Sequence, residues 1–111
     1  MRIIVIGAGK VGYQIAEALS REMFDVVVVE KNEDVINKVN ENLDVLTMQS
    51  NGLVSSTLKQ LEISRNDMVI AVTESDEANM LACLSAKNLG AGTTVARIRN
   101  PEYTKDWAVT K

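Results

Sequence analysis

Short, unbroken runs of β-branched residues alternate along this chain with segments whose apolar positions recur every three or four residues. The first run, Ile3–Ile6, is closed by Gly7 and predicts a buried strand. From Lys10 to about Glu22 the apolar residues Val11, Ile15, Leu19 and Met23 are spaced by four, which predicts a helix with that stripe facing inward. Val26–Val29 shows no alternation and predicts a second strand covered on both faces. Helical spacing returns with Val35, Ile36, Val39 and Leu43, with Asn32 as the N-cap and Asp34 in the first turn. Asp44–Met48 predicts a third, shorter strand, Ser50-Asn51-Gly52 a turn, and Val54, Leu58 and Leu61 a short helix. Met68–Val72 predicts the fourth strand. Ser75 then caps a long helix, with Asp76 and Glu77 on its N-terminal dipole and Met80, Leu81, Leu84 and Leu89 on its buried side. Gly90 or Gly92 ends that helix. Thr93–Ile98 predicts the fifth strand before Pro101, and Tyr103 and Trp107, one turn apart, the start of another helix.

Strand and helix in strict alternation predict an α/β domain with a parallel sheet and helices on both faces. Right-handed crossovers favour a Rossmann-like, doubly wound parallel sheet in the strand order 3-2-1-4-5. The 111 residues make a single domain, and a hydrophobic share of 46% against 24% charged residues excludes disorder. Twelve basic and fifteen acidic side chains leave a net charge of −3, which argues against a nucleic-acid partner.

The single Cys83 excludes an internal disulfide and a multi-cysteine zinc site, and the absence of histidine excludes triads and imidazole acid–base chemistry. Cys83 itself, between Ala82 and Leu84 in a predicted helix, reads as a buried, inert thiol. The longest apolar runs, among them Ile3–Gly9, fall far short of the ~20 residues that span a bilayer. Direct membrane insertion is not expected, and the chain reads as cytoplasmic.

The residues Gly7-Ala8-Gly9-Lys10-Val11-Gly12 form a G-x-G-x-x-G loop. A predicted strand precedes it, a predicted helix starts within it, and an acid, Glu30, closes the second strand. In such a loop Gly7 permits the tight turn and Gly9 lets the backbone approach a pyrophosphate. Gly12 lets the helix pack closely on the strand, and the backbone N–H groups at the helix N-terminus meet the phosphate charge. Glu30 suits ribose hydroxyls and repels a 2′-phosphate, an effect tempered by the neighbouring Lys31.

In an open doubly wound sheet the ligand sits outside the carboxyl ends of the strands. Those ends bring in Asn51, Thr73, Ser75, Asp76, Arg97 and Arg99. Asn51 suits an adenine edge or a ribose, and equally a turn before Gly52. Thr73 and Ser75 offer hydroxyls for phosphate or a second sugar, with helix capping as the alternative for Ser75. Arg97 and Arg99 share one side of their strand and suit a phosphate, a carboxylate across a subunit interface, or plain solvent.

Three segments together resemble the N-terminal nucleotide-binding domain of the Trk/Ktr potassium-uptake regulators, the RCK or KTN domain. They are Met1–Gly12, the run Ala71-Val72-Thr73-Glu74-Ser75-Asp76-Glu77-Ala78-Asn79-Met80, and Ala96-Arg97-Ile98-Arg99-Asn100-Pro101-Glu102-Tyr103. The resemblance covers essentially the whole chain and implies a regulator rather than an enzyme. It implies binding of NAD or NADH, or of ATP and ADP. It also implies a homodimer assembling into a higher ring, at the inner face of the membrane, beneath a membrane potassium-translocating subunit that nucleotide exchange gates. Carried onto this sequence, Gly7, Gly9 and Gly12 would cradle the phosphates, Glu30 would hold the adenosine ribose and Asn51 would lie by the adenine, with Ala8, Lys10, Val11 and Lys31 counted among the cofactor-binding residues. Thr73, Asp76 and Arg97 would lie near the phosphates or the distal sugar. The family often carries Asp at position 30 and a Gly-Asp pair in the loop after the third strand, where this chain has Ser50-Asn51-Gly52. Members also continue past a crossover helix, so residues 1–111 read as a domain truncated at its C-terminal end.

Two other readings stand beside this one. A cofactor-binding fragment of an NAD-dependent dehydrogenase would need an acid or base, and Lys10, Lys31 and Tyr103 form no catalytic constellation. A dimerisation module with a vestigial loop would bind no nucleotide.

Overall fold

The apolar runs become five parallel strands: β1 (Arg2–Ile6), β2 (Asp25–Glu30), β3 (Leu46–Gln49), β4 (Asp67–Ala71) and β5 (Thr93–Ala96). In this computed structural model, which describes residues 1–51 and 55–103, they form one sheet in the order β3-β2-β1-β4-β5. That is the doubly wound order predicted above. Gly52, Val54 and Trp107 lie outside the described residues.

Four helices connect the strands: α1 (Lys10–Arg21), α2 (Glu33–Asn42), α3 (Ser55–Gln60) and α4 (Asp76–Asn88). Side chains alternate across a strand, so β1 feeds both layers. Ile3 and Val5 join Ala16 of α1 and Val39 of α2 in one core. Ile4 and Ile6 join Leu58 of α3 and Ala82 and Ala86 of α4 in the other. The four residues Ile3–Ile6 are at most 2% exposed and Val26–Val29 at most 5%, as expected of strands without alternation.

Capping follows the sequence closely. Asn32 accepts the N–H of Val35 at 3.1 Å, and Ser75 that of Ala78 at 3.1 Å. Gly90, at φ +109, ends α4. At the opposite end of the sheet from the glycine loop, Arg2 and Asp67 are register partners on β1 and β4 and form a two-pronged ion pair at 3.0 and 2.8 Å. Arg2 also donates to the carbonyl of Leu61, and the N–H of Ser64 donates to Asp67. Burial pushes the Asp67 carboxyl up. The Arg2 and Ser64 hydrogen bonds and the Arg2 charge outweigh it, so the group titrates below the usual carboxylate range.

Four expectations are corrected. Helix α1 stops at Arg21, and Met23, expected on the buried stripe, is 90% exposed at φ 65 in the turn toward β2. Strand β3 runs Leu46–Gln49 rather than Asp44–Met48, because its ladder is set by β2, where Val27 pairs with Leu46 and Glu30 with Gln49. Strand β5 ends at Ala96, before Ile98, and the N–H of Arg97 makes a last 3.0 Å bond to the carbonyl of Ala71. Helix α4 buries Asn79, Ala82, Cys83 and Ala86, whereas Leu81 and Leu84 are 49% and 60% exposed and Met80 and Leu89 only half-buried. Small residues let the helix lie close on the sheet, and a helix apolar on several sides does not declare which side is inside.

Candidate functional site

The crevice forms where β1, β2 and β4 end side by side. β1 turns sharply at Gly7, which sits at φ +97 with its N–H bonded to the carbonyl of Val29 at 2.9 Å. A side chain on Gly7 would crowd Thr73 after β4. A Cβ on Gly12 would overlap the carbonyl oxygen of Gly7, so this glycine is what lets α1 close onto the turn. Gly9 differs in kind: among the described residues a Cβ there would meet only the Glu74 carboxylate, at 3.9 Å. The protein does not need Gly9 bare for its own packing. Its bare backbone faces a cleft of about 410 Å³, a volume in the range of small-molecule sites.

The cleft is walled by Glu30 at the end of β2, Lys31 and Asn32 after it, Ser50 and Asn51 after β3, and Thr73–Ser75 after β4. Both carboxylate oxygens of Glu30 are engaged. Oε1 accepts the N–H of Ala8 and Oε2 that of Asn32, each at 2.8 Å. A carboxylate has about four lone-pair sites, so each oxygen keeps capacity for one more donor. At the N-terminus of α1, the N–H groups of Lys10, Val11 and Gly12 precede the first residue that has a helical carbonyl to bond, and they carry the positive end of the helix dipole.

The residues singled out in the sequence divide into four groups. Gly7, Gly9, Glu30, Lys31, Asn51 and Thr73 line the main cleft. Ala8 and Lys10 line a second hollow of about 370 Å³, which shares Gly9 and Val35 with the main cleft, together with Tyr13 and Lys38, whose ammonium lies 4.9 Å from the Tyr13 ring centre. Val11 and Gly12 lie within α1, Val11 packed against the core. Asp76 and Arg97 stand apart from the cleft lining.

The Asp76 carboxylate accepts the N–H groups of Arg99 at 3.0 Å and Asn100 at 2.8 Å. Those bonds, the Arg99 one foremost, with the charges of Arg99 and Arg97, hold it below the usual carboxylate range. Arg97 meets this part of the fold through its backbone carbonyl, which accepts from Asn79 at 2.9 Å. Arg99 donates to the carbonyl of Glu74 and pairs with its carboxylate at 3.8 Å. Tyr103 donates to Glu77 at 2.6 Å, a bond that raises the phenol's pKa. The segment after β5 is thus strapped to the start of α4. Burial pushes the Cys83 thiol up, in keeping with an inert role.

Sequence reasoning passed over Asn79 as a site residue. It is wholly buried in α4, and its amide joins Thr73 at the cleft wall to Arg97 beyond β5. A lone polar residue on the small-residue face of a helix was the available signal, masked by the nearby leucines.

The sequence model of the TrkA-N domain family matches residues 3–107. A Trk system potassium uptake protein TrkA homolog of Archaeoglobus fulgidus is 40% identical over 103 residues, 93% of this chain and 23% of that protein. The Trk system potassium uptake protein TrkA of Halomonas elongata is 40% identical over 104 residues, again 93% of this chain and 23% of the relative. This chain therefore spans about a quarter of the length of these relatives. Among solved structures, the NAD(P)-binding domain of an exopolyphosphatase-related protein from Archaeoglobus fulgidus superposes with a TM-score of 0.83 at 17% identity, over 96% of this chain and 80% of that one. The GsuK channel bound to NAD superposes with a TM-score of 0.81 at 18% identity, over 97% of this chain and 20% of that one. At such identities the structural likeness establishes the shared fold.

Proposed function

The chain belongs to the TrkA-N domain family, and from that premise and the geometry of its crevice we propose that it is the nucleotide-binding regulatory domain of a potassium-uptake system. The ligand is NAD(H), or ATP and ADP. The observation that carries this reading is Gly9, a bare backbone position that the fold itself leaves open, at the N-terminus of α1 and beside the Glu30 carboxylate. Phosphates meet the N–H groups of the loop and the first turn, and ribose hydroxyls use the remaining lone pairs of Glu30. Asn51 lies on the wall where an adenine would pack. A carboxylate at position 30 rejects a 2′-phosphate, so NADP(H) is disfavoured.

The bound nucleotide supplies charge and shape rather than group transfer. No histidine is present, and the one thiol is buried. Regulation then requires that two nucleotide states bind two arrangements of the parent assembly with different affinity. The relatives' Trk potassium-uptake names support a membrane potassium-translocating subunit as the partner; in this reading a ring of homodimers gates that subunit from the cytoplasmic face. The GsuK channel bound to NAD, part of which shares this fold, supports NAD as the ligand.

Calorimetric titration of the chain with NADH, NAD, ATP and ADP, beside the Gly9→Val variant, tests the reading. Binding that differs within a pair and is lost in the variant supports it. Absence of binding by all four, or unchanged affinity in Gly9→Val, removes it.

A further inference from the structure

Asn79 is 0% exposed, on a helix face otherwise made of alanine and cysteine. A buried amide is tolerated only when its hydrogen bonds are made. Here the partners also dictate its orientation. Nδ2 donates to the carbonyls of Thr73 at 3.2 Å and Arg97 at 2.9 Å. Oδ1 accepts the N–H of Thr73 at 2.8 Å and the hydroxyl of Thr73 at 2.7 Å. Turning the amide over would set its oxygen against two carbonyl oxygens and its NH₂ against an N–H, so this is the arrangement the neighbours allow.

The consequence falls on Thr73, which lines the cleft. Its N–H is engaged by Asn79, and so is its single hydroxyl proton. Among the described residues the other acceptor near that proton is the carbonyl of Ser75 at 3.3 Å, and the N–H of Ser75 donates back to the Thr73 hydroxyl oxygen at 3.3 Å. Toward the cleft Thr73 therefore offers its remaining lone pair and no proton. A phosphate oxygen carries no proton to share at neutral pH, so lone pairs would face lone pairs. A sugar hydroxyl can donate.

The strand order fixes where this acceptor stands. Thr73 follows β4 and Glu30 ends β2, on either side of the Gly7 turn of β1. Across the crevice the chain presents an acceptor, a row of N–H donors and a second acceptor. The complement of that pattern is a hydroxyl group, a diphosphate and a second hydroxyl group.

Resting on the nucleotide-binding reading above, we propose that Asn79 is a positioning residue that fixes Thr73 as an acceptor. The crevice thereby selects a nucleoside diphosphate carrying a second sugar, the chemistry of a dinucleotide, over a nucleoside triphosphate.

The test is a titration with ADP, ATP and ADP-ribose of the native chain and of Thr73→Val, Thr73→Ser and Asn79→Ala. The native chain binds ADP-ribose roughly tenfold tighter than ADP, the scale of one hydrogen bond, and ATP no tighter than ADP. Thr73→Val removes the advantage of ADP-ribose over ADP, whereas Thr73→Ser keeps it. Asn79→Ala leaves the Thr73 proton only the longer 3.3 Å bond to the Ser75 carbonyl, which a phosphate can displace, and shifts the ratio toward ATP. If that variant does not fold, the Thr73 pair decides.

ADP binding without an advantage for ADP-ribose, or an advantage that survives Thr73→Val, overturns the inference and leaves the nucleotide-binding reading standing. An unchanged ratio in folded Asn79→Ala overturns the role given to Asn79. No binding of any ligand by the native chain overturns both.

Discussion

The Glu30 carboxylate holds the backbone N–H of Ala8 at 2.8 Å, joining the tip of β2 to the glycine loop that leaves β1. Its second oxygen holds the N–H of Asn32, the cap of α2. One side chain thus anchors the loop, the start of a helix and a wall of the crevice. An aspartate, one carbon shorter, would have to draw these segments closer to do the same.

Replacing Glu30 should therefore act on the loop as well as on the ligand. Glu30→Ala is expected to weaken NAD(H) binding by about 1–3 kcal/mol, the range for hydrogen bonds to a charged group. The amides of Ala8 and Asn32 should exchange faster in the free protein. Titration calorimetry and hydrogen exchange check the two effects separately, and unchanged affinity would remove Glu30 from the ribose site.

The two glycines either side of Lys10 should fail in opposite ways. Gly9→Val is expected to keep native stability and lose nucleotide, because the fold leaves room there. Gly12→Ala forces a methyl group into the Gly7 carbonyl and should cost at least about 1–3 kcal/mol of stability. Urea denaturation of both variants distinguishes the positions. A stable Gly12→Ala would mean that α1 can shift on the turn.

Acid should loosen the sheet at its Arg2–Asp67 end. Asp67 titrates below its unfolded value, so its contribution is complete above the unfolded carboxylate pKa of about 4. The contribution drains away as the pH falls toward the depressed folded value. Arg2→Met should lose about 1.5–3 kcal/mol at pH 7 and show a shallower loss of stability between neutral and acid pH. Denaturation midpoints at pH 7 and at about pH 3 decide it. A Met variant with the same acid slope as the native chain would sink the assignment.

Asp76 should behave as a strap rather than a ligand contact. Asp76→Ala is expected to speed amide exchange at Arg99 and Asn100, whose N–H groups it holds. ADP affinity should stay as it was. A large loss of ADP binding would return Asp76 to the phosphates.

The alternation of β-branched runs and helical stripes determined the parallel sheet and its order, because strands buried on both faces leave few ways to wind the chain. The glycine loop was legible for a related reason. A turn at positive φ, a helix packed against a carbonyl and an open backbone position each demand the same rare residue, so three glycines at fixed spacing betray all three needs. Ser75 and Asn32 were legible as caps because capping is a local interaction, complete within four residues.

What the sequence left open was decided between segments distant along the chain. Asp76 serves the backbone of Arg99 and Asn100, 23 and 24 residues away, where the crevice would have been an equally plausible destination. Leu81 and Leu84 point outward because the sheet accepts only small residues at that distance, a limit set by packing rather than by hydropathy. Asn79 shows the difference most sharply. Its composition says polar, yet its burial, its orientation and the direction of the Thr73 hydroxyl follow only once β4, α4 and β5 are side by side and each buried donor must find an acceptor.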